Sequence, residues 1–144
     1  MRSSWFASLV ILATVGCSES AEPASSVGVT LTLTVSSATL PRGQPDTVTM
    51  TVTNTGSWRV TLTGGACEPQ AQVINSSGEV IVPPGGEYPC VRVLRRLELA
   101  LGQRYIQSFV WNTDTLPSGT YRVSATFASE QVQLATVPIV VQLN

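Results

Sequence analysis

The residues able to do chemistry in this 144-residue chain are few and restricted in type. It contains no histidine and no lysine, and all eight basic side chains are arginine. Ser-His-Asp and Cys-His nucleophile systems, histidine-ligated zinc, Schiff-base lysines and phosphate-loop lysines each need a side chain that is missing. Carboxylates could still act in pairs, yet Asp46, Glu68, Glu79, Glu87, Glu98, Asp114 and Glu130 stand singly, without the spacing of an acid/base pair or a calcium loop. A net charge of −1 gives no electrostatic footprint for nucleic acid. The expectation is a protein that is not an enzyme, with no cofactor, no metal and no nucleic-acid partner. Three cysteines remain, Cys17, Cys67 and Cys90, together with one concentration of charge in 91-VRVLRRLEL-99. Arg92, Arg95 and Arg96 there could face an acidic protein or a lipid phosphate, or could simply protect an edge strand against sheet-to-sheet association.

Cys17 follows Arg2 and the apolar run Trp5–Val15. Such a run has the length of a secretory h-region, ~7–15 residues, and falls short of the ~20 needed to span a bilayer. With Gly16-Cys17 behind it, the segment resembles a bacterial lipoprotein signal, although Thr14 and Val15 stand where Leu and then Ala or Ser are usual. The resemblance implies cleavage of residues 1–16, a lipid on Cys17 and membrane anchorage. Because Ser18 rather than Asp follows, it also implies the outer membrane, with the body in the periplasm or facing outward. The other reading is an ordinary signal cut after Ser20 or Ala21, which would leave a soluble protein. Residues 17–27, small, polar and Pro-containing, read as a flexible tether.

From residue 28 onward the elements that must position these groups announce themselves by alternation. In 29-VTLTLTVSS-37, Val29, Leu31, Leu33 and Val35 share one parity and threonines take the other; 46-DTVTMTVTN-54 repeats the device with Val48, Met50 and Val52. Asn54-Thr55-Gly56 is a turn signal before a third strand, Arg59–Thr63. Further strands are expected over Ala71–Ile74, Glu79–Val82, Cys90–Leu101, Arg104–Asn112, Thr120–Ala128 and Gln131–Leu143. No segment sustains a helical period. The sum is a single all-β domain over 28–144, an immunoglobulin-like antiparallel β-sandwich of about eight or nine strands.

With Cys17 taken by lipid, Cys67 and Cys90 form an even pair in an exported chain, and a disulfide between them is the expected state. Two free buried thiols or a two-thiol metal site are the alternatives, and two Cys without His are too few for a closed zinc site. The enclosed stretch, rich in Pro and Gly, is expected to lean on this staple more than the sandwich does.

Four ordered segments, 48-VTMTVTNTGSWRVTLTGGAC-67, 72-QVINSSGEVI-81, 97-LELALGQRYIQSFVWN-112 and 116-LPSGTYRVSATF-127, resemble the BsuPI-type intracellular proteinase inhibitor domain. Ala100-Leu101-Gly102-Gln103 departs from it, standing where Pro-Gly is usual. The resemblance implies an immunoglobulin-like sandwich and, as one function, proteinase inhibition. The stretch between Cys67 and Cys90 would be the loop offered to a protease. Against this, the chain is expected to be exported, and the other function is a membrane-tethered, non-catalytic module that binds an unidentified protein.

Aromatic residues divide accordingly. Trp111, on the parity of Tyr105 and Phe109, is expected in the core rather than as a ligand platform. Tyr121 is expected to fix its turn through its hydroxyl. Trp58 lies in a turn between strands, where an exposed ring would be an interface candidate. Arg95 shares a parity with Val93, Leu97 and Leu99, so it must either snorkel at a sheet rim or pair with a carboxylate inside. Replacing both Cys67 and Cys90 by Ser is expected to cost roughly 3 kcal/mol in chemical denaturation without abolishing folding. Two titratable free thiols at these positions in the oxidised native protein would contradict the pairing.

Overall fold

The computed structural model of the chain describes residues 18–26, 28–65, 68–88 and 93–144. Cys17, Cys67, Cys90 and Arg92, with residues 1–16, lie outside the described residues, so the lipid and disulfide readings rest on the sequence.

The chain is an all-β sandwich. Its strands are β1 Glu19–Ser20, β2 Ala24–Ser26, β3 Val29–Val35, β4 Thr39–Leu40, β5 Asp46–Asn54, β6 Val60–Gly65, β7 Gln70–Asn75, β8 Val80–Val82, β9 Leu94–Leu99, β10 Arg104–Trp111, β11 Gly119–Ala128, β12 Gln133–Ala135 and β13 Ile139–Leu143. The first sheet runs β1–β3–β5–β10, with β2 also on β3. The second runs β4–β13–β11–β7–β8, with β12 also on β11. All pairings are antiparallel except β4 with β13. Every expected strand is present, with three short ones added.

Two expectations change. The last strand splits, because Pro138 has no N–H to give and the Thr136 hydroxyl, not its carbonyl, takes the Ala125 N–H at 3.0 Å. Residues 18–26, read as part of a free tether, lie along β3, and Ala21 is buried with its N–H on the Leu33 carbonyl at 3.0 Å. They cover an edge of β3 that would otherwise expose unpaired N–H and C=O groups. As expected, the stretch between Cys67 and Cys90 contains β7, which lies inside the second sheet between β11 and β8 with Ala71 and Val73 fully buried.

The core follows the parity of the strands. Val29, Leu31, Leu33 and Val35 meet Val48, Met50 and Val52 on the inner face of the first sheet, all fully buried. Val73, Val123, Ala125, Val141 and Leu143 answer from the second. Trp111 and Tyr121 join the sheets as an edge-to-face pair with centroids 5.5 Å apart, and the Tyr121 hydroxyl donates to the Pro117 carbonyl at 2.9 Å.

Beyond Asn54, β5 and its partner β10 do not stop but bend together. The two chains continue as β6 and β9, a two-stranded ribbon that leaves the first sheet and closes one end of the core with Leu62 and Leu99. Asn54 sits inside this corner, 1% exposed. Its Nδ2 donates to the carbonyls of Trp58 (2.7 Å) and Leu99 (2.9 Å), and its Oδ1 accepts from the Gly56 N–H (3.0 Å). Its own N–H donates to the Gln103 carbonyl (3.1 Å), and its carbonyl accepts from Gly102 (2.9 Å). Gly28, at φ 74, has no room for a side chain beneath this corner: a Cβ on it would lie 2.9 Å from the Gly56 Cα. At its other end the ribbon is fastened to the end of β11 and the turn after it: the Thr63 carbonyl accepts from the Glu130 N–H (2.9 Å), and Gly64 approaches so closely that a Cβ would sit 2.7 Å from the Ala128 carbonyl.

Removing the Asn54 amide would strand the buried Leu99 carbonyl and the part-buried Trp58 carbonyl, while the Gly56 N–H would keep only its bond to the Gly28 carbonyl. Asn54→Ala is expected to cost about 3 kcal/mol in chemical denaturation. A loss below about 1 kcal/mol would show that water or a neighbour replaces the amide.

Candidate binding surface

The corner at Asn54 carries two short loops, 55–59 from β5 to β6 and 100–103 from β9 to β10. Each is fixed by its own bonds as well as by Asn54: Thr55 and Gly56 both donate to the Gly28 carbonyl (2.8 and 2.9 Å), and Ala100 exchanges bonds with the backbone and side chain of Gln103. On these loops two apolar side chains have nowhere to go but outward. Trp58 is 85% exposed and Leu101 67% exposed. A large aromatic left in solvent on a rigid, hydrogen-bonded support is what an interface anchor requires.

Charge lies beside them on the ribbon. The Arg96 Nε meets Glu98 at 3.0 Å and the Arg59 guanidinium meets it at 3.6 Å. All three side chains are well exposed, so these pairs add little stability; they present a guanidinium-carboxylate surface next to Trp58. Arg95 lies on the opposite face of the ribbon, exposed, with its guanidinium stacked 4.9 Å above the Tyr105 ring and donating to the Tyr105 hydroxyl at 2.7 Å. Of the two positions its parity left open, it takes the rim, and among the described residues it pairs with no carboxylate. Thus Trp58 and Arg96 belong to one surface, Arg95 does not, and Arg92 lies outside the described residues. Leu101 escapes the sequence reading because it continues an apolar strand; the following Gly102, at φ 73, marks the turn that exposes it.

No reacting constellation assembles around these groups. Glu68 is pushed above the usual carboxylate range by burial, partly offset by the Ala128 N–H on its Oε2 (3.2 Å). The hollow it shares with Leu62, Arg95, Leu97 and Tyr105 measures about 10 Å³, room for about one water molecule. Asp46 is buried and serves the fold: its Oδ1 accepts from the Ser36 N–H (2.9 Å) and hydroxyl. Among the described residues no three of His, Cys, Asp or Glu gather as metal ligands would.

No family model matches the chain, and no curated protein matches it. Among solved structures, a β-glucosidase from Erythrobacter marinus is 11% identical with a TM-score of 0.48, over 89% of this chain and 15% of that one. A β-glucosidase from Listeria innocua is 15% identical with a TM-score of 0.45, over 78% and 16%. The Pseudomonas fluorescens alkylpurine DNA glycosylase AlkC is 14% identical with a TM-score of 0.46, over 81% and 30%. The chain thus spans less than a third of each of these proteins, and likeness this distant transfers no activity to it.

Trp58 contributes exposed area and no core. Trp58→Ala is therefore expected to leave unfolding stability unchanged within about 0.5 kcal/mol. A larger loss would place the indole in the fold rather than on a surface for a partner.

Proposed function

We propose that this chain is an exported lipoprotein whose β-sandwich acts as a non-catalytic protein-binding module, held to a membrane by a lipid on Cys17 and engaging its partner through Trp58. The observation that carries the reading is the placement of Trp58 at the end of the sandwich opposite residue 18. Glu19 pairs with Val35 at one end of β3, whereas Val29, at the other end, pairs with Asn54 beneath the Trp58 loop. Roughly 20 Å of strand separates them. A lipid one residue before Ser18 would leave Trp58, Leu101 and the Arg59–Glu98–Arg96 group facing away from the membrane. Retention in the outer membrane, with the body in the periplasm or facing outward, belongs to the same proposal. Among the described residues no helix is long and apolar enough to cross a membrane.

Two measurements test it. Intact-mass analysis of the mature protein is expected to show an acylated chain beginning at Cys17; an unmodified chain beginning at Ala21 or Glu22 would defeat the anchor. A partner recovered with the native chain is expected to bind Trp58→Ala about thirtyfold more weakly, the loss of an aromatic anchor worth about 2 kcal/mol. Binding unaffected by that substitution would remove the tip from the account. The same chains assayed against a panel of proteases decide the other function: inhibition that survives Trp58→Ala would favour an inhibitor acting through a different surface.

A further inference from the structure

Among the described residues the sandwich has several strand edges, and all but one are short, charged or covered. β1, β2, β4 and β12 are two or three residues long, β8 ends at Pro83, β9 carries Arg95, Arg96 and Glu98, and β6 is covered at Thr63 by Glu130 and Gln131 and at Gly64 by Ser129. The exception is β10. It ends the first sheet, pairs with β5 over eight residues without a bulge, and has no charge after Arg104 and no proline.

The direction of its free backbone groups follows from the corner. Asn54 bonds toward the β10 side, to Gln103 and Gly102, so even-numbered residues of β5 face β10 and odd-numbered ones face β3. The bonds from Thr55 to Gly28 and from Ser36 to Thr47 agree. In the β5–β10 register, Tyr105, Gln107, Phe109 and Trp111 therefore bond to β5, and Ile106, Ser108 and Val110 direct their N–H and C=O groups away from the sheet. Among the described residues nothing takes those bonds. Ile106 and Val110 are also 58% and 61% exposed on the outer face. Beside the edge, between Phe109 and the segment Ile81–Pro84, lies a groove of about 350 Å³ that leaves room for an added strand.

We infer that two copies of this chain pair antiparallel through β10 about a two-fold axis at Ser108, joining their first sheets into one. The edge is complementary to itself in that register. Ile106 faces Val110 of the partner subunit and Val110 faces Ile106 of the partner subunit, so both exposed apolar side chains gain cross-strand partners. Arg104 faces Asn112 of the partner subunit, and no like charges oppose each other. Ile106, Ser108 and Val110 exchange both backbone bonds with their opposites. A foreign strand would satisfy the backbone but would have no reason to match this pattern. The two-fold sets the two residue-18 ends, and the two Trp58 tips, at opposite ends of the pair. It joins chains that are free or held on facing surfaces, not upright neighbours on one surface. The inference is independent of the binding role given to Trp58.

Sedimentation of the detergent-solubilised full chain is expected to show a concentration-dependent dimer. Ser108→Lys, which sets two charges against each other on the axis, should leave a monomer that melts where the native chain does once diluted to monomer. Ile106→Lys and Val110→Glu should each weaken self-association at least tenfold. The double variant, in which each lysine meets a glutamate across the axis, should recover it. A native chain that is monomeric at every concentration, a dimer indifferent to Ser108→Lys, or a double variant no better than the single ones would overturn the pairing. So would a monomer whose β10 edge captures only unrelated extended peptides.

Discussion

One buried side-chain amide holds the two loops of the tip to the two strands that carry them. Asn54 has two amide hydrogens and one amide oxygen to place, and the corner supplies two carbonyls and one N–H for them. With the oxygen on Gly56, only one orientation of the amide satisfies all three. The bond to Leu99 spans 45 positions in sequence and ties β5 to the strand entering β10; the bond to Trp58 fixes the far side of the other loop. A bend in two paired strands would normally leave backbone groups open in the interior, at a cost of about 1–3 kcal/mol each. Here the bend is filled from a single residue.

The rest of the architecture follows from that bend. Because β5 and β10 turn together, β6 and β9 leave the first sheet and lay Leu62 and Leu99 across the end of the core. Gly64 then bridges to Ser129, just past the end of β11, so the ribbon joins the two sheets. The exposure of Trp58 and the free edge of β10 are consequences of the same geometry: the loop is held too tightly to fold its indole inward, and β9 is carried away from the flank of β10 that a hairpin would have covered.

Much of this was legible in the residues, and the unread part has a physical cause. Parity identified the inner faces of β3 and β5, since threonine and aliphatic residues alternate there without a break. The Asn54-Thr55-Gly56 turn was visible because an Asx side chain bonding two residues ahead is a local event. The bond from Asn54 to Leu99 was not, being set by the tertiary bend. Residues 18–26 show no alternation and bury little besides Ala21, so nothing in their composition betrays a strand; the unpaired edge of β3 recruits them. Trp58 was identified by its turn position, while Leu101 passed for a strand residue. Arg95 shows the limit of parity: its side points inward along β9, yet at the rim the long side chain reaches the face of Tyr105 instead of a buried acid.

The central claim is that Asn54 makes the two loops one mechanical unit, and amide hydrogen exchange in the native and Asn54→Ala chains tests it most directly. Gly56 shares its N–H between the lost side chain and the Gly28 carbonyl; Gly102 bonds only the backbone carbonyl of residue 54, which the substitution retains. The account predicts that both amides lose protection together while Val73 and Val123, in the second sheet, keep theirs. Loss confined to Gly56, with Gly102 as protected as before, would contradict it.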